Sequence, residues 1–269
     1  MSALAALPRL IATDLDGTLL GGDGRISARS LSALARARAA GIDLLMVTGR
    51  PPRHVAKIEG AAALGGTVIC VNGALSYDLD RALVLREERL SALIARELVT
   101  ALRLRMPEIC FAVEVGLEFG WEPSYGLHSK RTEPPQLPIA DALLLCESGV
   151  NKLIARHPQL SAEEMIERSS DLFSERALAS HSGAPLVEIS AVNANKGAAL
   201  AAYCLERAIA REAVWAFGDM PNDLPMLEWA GHSVAMGNAH PSVLAAAREV
   251  TLSNEDDGVA TVLERLLSG

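Results

Sequence analysis

The sequence predicts an α/β protein in which a doubly wound, Rossmann-like parallel sheet forms a core and an α+β domain is inserted into that core. Two observations support this prediction. Towards both ends of the chain, short apolar runs that end in polar residues alternate with helix patterns, as in a parallel sheet covered on both faces. Between these parts, strand-like segments alternate apolar and polar residues, as in an antiparallel sheet with one covered face.

Three apolar runs predict the strands of the first half of the core. The runs begin at Leu10, Asp43 and Thr67, and each ends at polar residues. A helix between the first two runs is expected to begin after Ser27 and to end at Gly41. Ligands of open α/β sheets bind outside the carboxyl ends of the strands, so the polar residues that follow these runs are expected to line a site.

From about Arg81 the pattern changes to that of an α+β domain. A long amphipathic helix is predicted from the spacing of Leu90, Leu93, Ile94, Leu98 and Leu102. Strands are predicted at Cys110–Val115, Asn151–Arg156 and Pro185–Ser190, a capping box at Ser161 and Glu164, and a Pro-rich loop over 132–138. We therefore assign residues 1–81 and 190–269 to the core and residues 82–189 to an inserted cap.

The core pattern returns after the cap. A helix is predicted over Lys196–Ala210 and a strand over Ala213–Phe217, which ends in Gly218 and Asp219. A further strand, His232–Met236, and two helices complete the chain. The predicted sheet therefore receives polar residues at its carboxyl edge from both halves of the chain.

Composition excludes several classes of partner. The chain has 269 residues and a net charge of −8, which argues against a surface for nucleic acid or anionic membranes. Four scattered cysteines in largely apolar surroundings predict reduced, buried thiols, and the segment before Arg9 lacks a signal-peptide pattern. These observations predict a cytoplasmic protein without nucleic-acid or membrane partners, and they leave its oligomeric state open.

Polar clusters at the predicted strand and helix ends carry the chemistry. The clusters are Asp14 and Asp16, Thr48 and Gly49, Lys196, and Asp219 with Asn222 and Asp223. Carboxylate oxygens suit Mg²⁺, and one carboxylate can serve as a nucleophile. A hydroxyl, a backbone N–H and a lysine can hold a transferring phosphoryl group. Each cluster alone also fits a turn, a helix cap or a solvated lysine, but the combination favours phosphoryl transfer.

The sequence resembles the haloacid dehalogenase superfamily, and within it the Cof-like phosphatases with a large inserted cap. The motifs that carry the resemblance are Asp14-Leu-Asp-Gly-Thr-Leu-Leu20, Val47-Thr-Gly-Arg50, Asn195-Lys-Gly197, the segment Phe217–Leu227 and Met236-Gly-Asn-Ala239. They occur in the order of that family and span nearly the whole chain. The interval between Thr48 and Lys196, unlike that between Asp14 and Thr48, is long enough for a folded domain, so the cap lies after the second motif.

The resemblance implies a role for each matching residue. Asp14 is expected to be the nucleophile and Asp16 the general acid and base. The metal, Mg²⁺, is expected to be held by the Asp14 carboxylate, the Asp16 backbone carbonyl and Asp219, with Asp223 in a supporting role. The expected phosphate-binding groups are the Leu15 backbone N–H, Thr48, Gly49, Lys196 and the Asn222 amide.

The function predicted from these residues is Mg²⁺-dependent hydrolysis of small phosphate monoesters, such as sugar phosphates or related metabolites, through an aspartyl-phosphate. Two alternatives remain open at this point. One is a capped phosphomutase, and the other is a non-catalytic module that binds a phosphorylated metabolite. In the cap, Glu114, Glu118, Trp121, Glu122 and Tyr125 are candidates for substrate contact, although core or solvent positions are favoured for each.

Overall fold

The computed structural model describes residues 7–128, 134–181 and 184–268; residues 132 and 133 of the predicted Pro-rich loop lie outside them. The strands are β1 (Leu10–Thr13), β2 (Asp43–Val47), β3 (Thr67–Cys70), β4 (Leu75–Asp78), β5 (Leu83–Glu87), β6 (Cys110–Val115), β7 (Glu118–Trp121), β8 (Lys152–Arg156), β9 (Leu178–Ser180), β10 (Val187–Ser190), β11 (Val214–Gly218), β12 (His232–Ala235) and β13 (Glu249–Val250).

Helices connect most of these strands. They are α1 (Ala28–Ala39), α2 (Pro52–Val55), α3 (Ala61–Leu64), α4 (Ala92–Arg105), α5 (Pro123–His128), α6 (Ala142–Leu145), α7 (Ala162–Phe173), α8 (Lys196–Glu206), α9 (Leu224–Trp229), α10 (Pro241–Ala246) and α11 (Gly258–Leu267). Three-residue 3₁₀ turns occupy Val71–Gly73, Arg211–Ala213 and Pro221–Asp223. Among the described helices, none is both long and apolar enough to cross a membrane.

The chain divides into two compact units, residues 1–85 with 196–269 and residues 86–195. The first unit is built on a sheet with strand order β13-β12-β11-β1-β2-β3-β4-β5. Strand β1 is parallel to both β11 and β2, and β3 continues the parallel arrangement beyond β2. These central strands are buried on both faces, which explains why they are nearly continuous apolar runs. Their carboxyl ends meet at one edge of the sheet.

The second unit contains the sheet β7-β6-β8-β10-β9, whose pairs are antiparallel. One face, including Phe111, Val113 and Leu153, packs with apolar residues of α4, α6 and α7 in a single hydrophobic cluster. Helix α7 begins with the predicted capping box, in which Ser161 accepts from Glu164 N–H and the Glu164 carboxylate accepts from Ser161 N–H. The predicted fold class, a Rossmann-like core with an inserted α+β domain, is confirmed.

The structure corrects three of the element predictions. Helix α4 begins only at Ala92, because Leu90 pairs its backbone with Val150 in an isolated β-bridge. Helix α8 ends at Glu206 and not at Ala210. It ends there because Ala208 adopts φ of 50° and the Ile209 N–H turns back to the Cys204 carbonyl, a helix end that usually contains glycine.

The third correction concerns the segment after β3. Strand β3 ends at Cys70, and a turn through Asn72 (φ 56°) and Gly73 (φ 102°) reverses the chain into β4. Strand β4 pairs antiparallel with β3, with Leu75 opposite Cys70. The Asn-Gly pair therefore forms a turn, and the structure adds two strands to the sheet, β4 and β5, that the sequence pattern did not predict.

Candidate active site

The first predicted strand places Asp14 at the carboxyl edge of the core sheet, directly after β1. Its backbone N–H donates to the Phe217 carbonyl at 3.0 Å, which continues the pairing of β1 with β11. The Asp14 carboxylate is buried and accepts a hydrogen bond from Lys196 Nζ at 2.6 Å. Residues that are 182 positions apart in the sequence therefore form one ion pair, as expected from their positions at neighbouring ends of elements.

Lys196 is the first residue of α8 and only 1% exposed. Its ammonium group also donates to Asp223 Oδ1 at 2.5 Å, so two carboxylates offset its burial at a helix N-terminus. The next residue, Gly197, allows α8 to approach α9 closely, because a Cβ there would lie 2.3 Å from the Pro225 carbonyl oxygen. Burial lowers and the two carboxylates raise the pKa of Lys196, and the net direction is upward.

Asp223 organises the turn after β11. Its Oδ2 accepts from the backbone N–H groups of Asp219 and Met220, both at 3.0 Å, while its other oxygen binds Lys196. Gly218 is required next to it, because a Cβ at that position would lie 2.6 Å from the Asp223 Cβ. The predicted capping role of this turn and the predicted supporting role of Asp223 therefore involve the same fully buried carboxylate.

Three carboxylates, those of Asp14, Asp219 and Asp223, converge in this region. Each offers an oxygen within 4.8 Å of the others, and among the described residues this is the one group of its kind that can hold a metal ion. Burial raises the pKa of Asp14 and, with the neighbouring Asp223, raises the pKa of Asp219 to about 6. Three acids with a single lysine leave an excess of negative charge, and hard oxygen ligands of this kind fit a divalent cation.

The turn after the two aspartates closes over Asp219. The Thr18 hydroxyl donates to Asp219 Oδ1 at 2.8 Å, and the Gly17 carbonyl accepts from Asn238 Nδ2 at 2.8 Å. Gly17 has φ of 76°, and a Cβ there would lie 2.3 Å from Asp219 Oδ2. The space beside the Asp219 carboxylate therefore depends on glycine, for steric as well as conformational reasons.

Asp16 occupies a different environment from the three buried acids. Its side chain is 56% exposed and forms a two-pronged ion pair with Arg50, in which Nε lies 2.7 Å from Oδ2 and Nη2 lies 2.5 Å from Oδ1. This hydrogen bond is also the main cause of a raised pKa of Arg50. The carboxylate of Asp16 is not part of the buried acidic group.

The predicted phosphate-binding residues lie at the same edge of the sheet. Thr48 follows β2 and its hydroxyl accepts from the Arg50 N–H at 3.1 Å. Asn222 Nδ2 donates to Asn72 Oδ1 at 3.1 Å, whereas Asn222 Oδ1 is buried with no hydrogen-bond partner among the described residues. The same Asn72 oxygen would lie 2.8 Å from a Cβ at Gly49, so Gly49 belongs to this group. Leu15, fully buried, precedes Asp16.

Several residues of this region were not predicted as members of the site from the sequence. Arg50 lies in the Val47–Arg50 motif and Asn238 in the Met236–Ala239 motif, but neither motif reveals where its side chain points. Asn72 gives no signal of its own in the sequence, because Asn-Gly is common in turns. In the cap, the candidates Glu122 and Tyr125 are buried, and Glu122 accepts from the Phe111 N–H and pairs with Arg103. Their favoured assignment to the interior is supported by these contacts.

Comparison with known proteins places the chain in a family. A family model for haloacid dehalogenase-like hydrolases matches residues 11–263. The chain belongs to this family. Its relatives include the pyridoxal phosphate phosphatase YbhA of Escherichia coli K12, 33% identical over 266 residues that cover 94% of this chain and 96% of YbhA. The predicted superfamily and enzyme class are confirmed: the chain is a haloacid dehalogenase-like phosphoric monoester hydrolase.

Two further similarities extend over the whole length of this hydrolase. The 5-amino-6-(5-phospho-D-ribitylamino)uracil phosphatase YwtE of Bacillus subtilis 168 is 29% identical over 284 residues, which cover 97% of this chain and 99% of YwtE. The solved structure of BT1666 from Bacteroides thetaiotaomicron, a phosphatase of the same superfamily, superposes with a TM-score of 0.83 at 24% identity and covers 99% of each chain. The second comparison concerns the fold.

Proposed function

We propose that this hydrolase is a Mg²⁺-dependent phosphatase that acts on small phosphate monoesters through an aspartyl-phosphate on Asp14. The observation that supports this most directly is the division of the acids into two environments. Asp14 is buried and paired with Lys196, beside two further buried acids, whereas Asp16 is exposed and lies outside that group. One buried carboxylate beside a cation suits a nucleophile, and an exposed carboxylate two residues away suits proton exchange with the leaving group and water.

In the first step, an oxygen of Asp14 attacks phosphorus while the bond between phosphorus and the leaving oxygen breaks. Asp16 donates its proton to that leaving oxygen, so the product departs as an alcohol. Lys196, held between Asp14 and Asp223, offsets negative charge on the phosphoryl oxygens. Thr48, Gly49, Asn222 and the Leu15 N–H are the proposed donors that orient those oxygens.

In the second step, water attacks the phosphorus of the aspartyl-phosphate and Asp16 takes the proton of that water. The Asp14 carboxylate leaves, and inorganic phosphate is released. Both steps use the same side chain because hydrolysis reverses the proton demand of phosphorylation. The exposure of Asp16 is consistent with this exchange, since the residue must meet both the leaving group and water.

The proposed metal ligands are the carboxylates of Asp14 and Asp219 and the backbone carbonyl of Asp16, supported by Asp223. When bound there, Mg²⁺ would neutralise charge that builds up among these acids and on the phosphoryl group. The excess of carboxylates over lysine, the raised pKa of Asp219 to about 6 and the glycine at position 17 all fit such a cation.

The proposed substrate is a small phosphorylated metabolite, since YbhA and YwtE are named for such compounds and are similar to this chain over nearly its full length. The unit of residues 86–195 is proposed to select the leaving group, as a cap. The four cysteines are buried thiols that form no disulfide among the described residues, which supports the proposal of a reducing, cytoplasmic location.

The test is phosphate release by the purified protein from a panel of phosphorylated metabolites, with and without Mg²⁺. We expect release that requires Mg²⁺ and that is absent in Asp14→Asn, and a phosphoenzyme trapped by acid quench in the wild type alone. Full activity of Asp14→Asn would contradict the proposal. Isomerised substrate with a requirement for a bisphosphate would instead indicate a mutase, and tight binding without turnover a binding module.

A further inference from the structure

Arg50 has no role in the mechanism above, yet it makes the most specific contact of Asp16. Both carboxylate oxygens of Asp16 are engaged by the Nε and Nη2 groups of one guanidinium. Such two-pronged pairs fix the plane of a carboxylate as well as its position, which a single point contact does not. Asp16 is otherwise more than half exposed, so its orientation depends on this pair.

The backbone of Arg50 is itself fixed by the sheet. Its N–H donates to the Thr48 hydroxyl at 3.1 Å, and its carbonyl accepts from the Val71 N–H at 3.1 Å. These bonds tie Arg50 to the ends of β2 and β3, whereas Asp16 belongs to the turn after β1. The guanidinium therefore connects that turn to two neighbouring strand ends. A group with this anchorage can hold another side chain in one orientation.

We propose that Arg50 is a positioning residue that aims the Asp16 carboxylate for proton transfer. The inference rests on the proposed role of Asp16 as acid and base. Arg50 would then affect the reaction rate by orienting Asp16 and not by binding substrate. Proton transfer requires the donor and acceptor atoms to lie within hydrogen-bond distance. If the Asp16 carboxylate loses its orientation, the steps that use Asp16 therefore become slower, while substrate affinity stays nearly unchanged.

The experiment compares Arg50→Gln and Arg50→Lys with wild type on two substrates, p-nitrophenyl phosphate and an alkyl phosphate. Alkyl phosphates need protonation of the leaving oxygen, whereas p-nitrophenolate departs readily. We expect kcat for the alkyl phosphate to fall roughly 10- to 100-fold with KM within about threefold, and an initial burst of p-nitrophenolate to persist. Arg50→Lys is expected to resemble Arg50→Gln, because lysine keeps the charge but not the two-pronged contact.

A double-mutant cycle with Asp16→Asn separates the possible causes. If Arg50 acts through Asp16, Arg50→Gln lowers kcat by less than about threefold in the Asp16→Asn background. The matched control is Arg25→Gln, which removes an exposed ion pair with Glu59 in the same unit and is expected to behave as wild type. Melting temperatures of all variants show whether each is folded. If Arg50→Gln does not fold, Arg50→Lys takes its place in the cycle.

Four outcomes overturn the inference. Multiplicative loss in the double variant, or rescue of activity by Arg50→Lys, would mean that Arg50 acts as a charge independent of Asp16. A rise in KM without a fall in kcat would mean that Arg50 binds substrate. Wild-type activity of Asp16→Asn alone would remove the proposed role of Asp16, and the inference with it, so that failure of the proposed function is distinguished from failure of the inference.

Discussion

Two lysines are buried among the residues that the structure describes, one in each unit, and their surroundings differ. Lys196 is 1% exposed and contacts Asp14 and Asp223 at the carboxyl edge of the parallel sheet, with Asp219 nearby. Lys152 is 2% exposed and lies within the antiparallel sheet of the other unit, where it forms an ion pair with Glu188. Both are paired, as buried charges must be, but only Lys196 lies at the carboxyl edge of the parallel sheet.

The surroundings of the two lysines distinguish a structural ion pair from a candidate active site. Lys152 is the first residue of β8 and lies opposite Glu114 of β6 in the ladder, so charges of opposite sign neighbour each other across strands. At Lys196, three converging acids outnumber the lysine, and burial raises the pKa of Asp14 and Asp219. That excess of charge is unfavourable unless a ligand offsets it, which is why the cluster at the sheet edge is the candidate site.

The largest effect is expected for Lys196→Met. Loss of the ammonium should lower kcat/KM roughly 10²- to 10³-fold, since charge stabilisation in the transition state depends on it. It should also destabilise the protein by about 3–5 kcal/mol in the absence of metal, because Asp14 and Asp223 lose their shared partner. Steady-state kinetics with Mg²⁺ and urea unfolding measure the two quantities. Activity within threefold of wild type would place Lys196 outside the site.

The matched variant Lys152→Met is expected to change stability alone. It should cost about 3–5 kcal/mol of unfolding free energy, because Glu188 is left buried without its ammonium partner, while kcat/KM for p-nitrophenyl phosphate stays within about threefold. The double variant Lys152→Met with Glu188→Gln should recover part of that loss, since the uncompensated charge is gone. A loss of kcat as large as that of Lys196→Met would break the distinction between the two lysines.

Mg²⁺ should stabilise the protein by binding to the acids around Lys196 and not to those around Lys152. Mg²⁺ at about a hundred times its dissociation constant should stabilise the protein by about 2.7 kcal/mol and raise the melting temperature. The rise should be abolished in Asp219→Asn, whose carboxylate belongs to the acidic group, and retained in Glu188→Gln, whose carboxylate pairs with Lys152. Thermal melts with and without Mg²⁺ measure this. An equal rise in both variants would contradict the assignment of the metal site.

Much of the candidate site could be predicted from the sequence because its residues follow apolar runs. Asp14 and Thr48 come directly after strands, so the parallel topology alone brings them to one edge. The partners of exposed groups could not be predicted in this way. Arg50 follows β2 and pairs with Asp16 after β1, and a period of apolar residues carries no information about the direction of either side chain.

In the cap, the sequence predicts local secondary structure, but it does not predict contacts between segments that are far apart in the chain. The predicted strand Cys110–Val115 matches β6 to the residue, because it is a short and largely apolar run. Leu90 was assigned to a helix, but it pairs with Val150, a contact between segments far apart in the sequence. The sequence does not predict the burial of Lys152, since a lysine at the start of a strand is usually exposed and its burial depends on Glu188 from another strand.

The smallest change in the free energy of unfolding is expected at an exposed ion pair between Arg265 and Glu249. The distance between its charged atoms equals that between Lys196 and Asp223. Arg265 Nη2 lies 2.5 Å from Glu249 Oε1, as close as Lys196 Nζ is to Asp223, but the Arg265 side chain is 59% exposed. Burial raises the pKa of Glu249, while hydrogen bonds with His232 and Arg265 lower it, and the net direction is downward. Glu249→Gln should therefore cost no more than about 1 kcal/mol at pH 7, because solvent screens the pair.

The direction of the pKa shift of Glu249 determines how the stability lost in Glu249→Gln depends on pH. A lowered pKa in the folded state means that the stabilisation by Glu249 is present above the pKa of the unfolded state, about 4.3, and is lost as the pH falls through the lower folded-state value. The free energies of unfolding of wild type and Glu249→Gln, measured in urea, should differ at pH 7 and converge as the pH falls below about 5, where the carboxylate becomes protonated. A difference as large as that for Lys152→Met would show that distance, and not burial, sets the strength of these pairs.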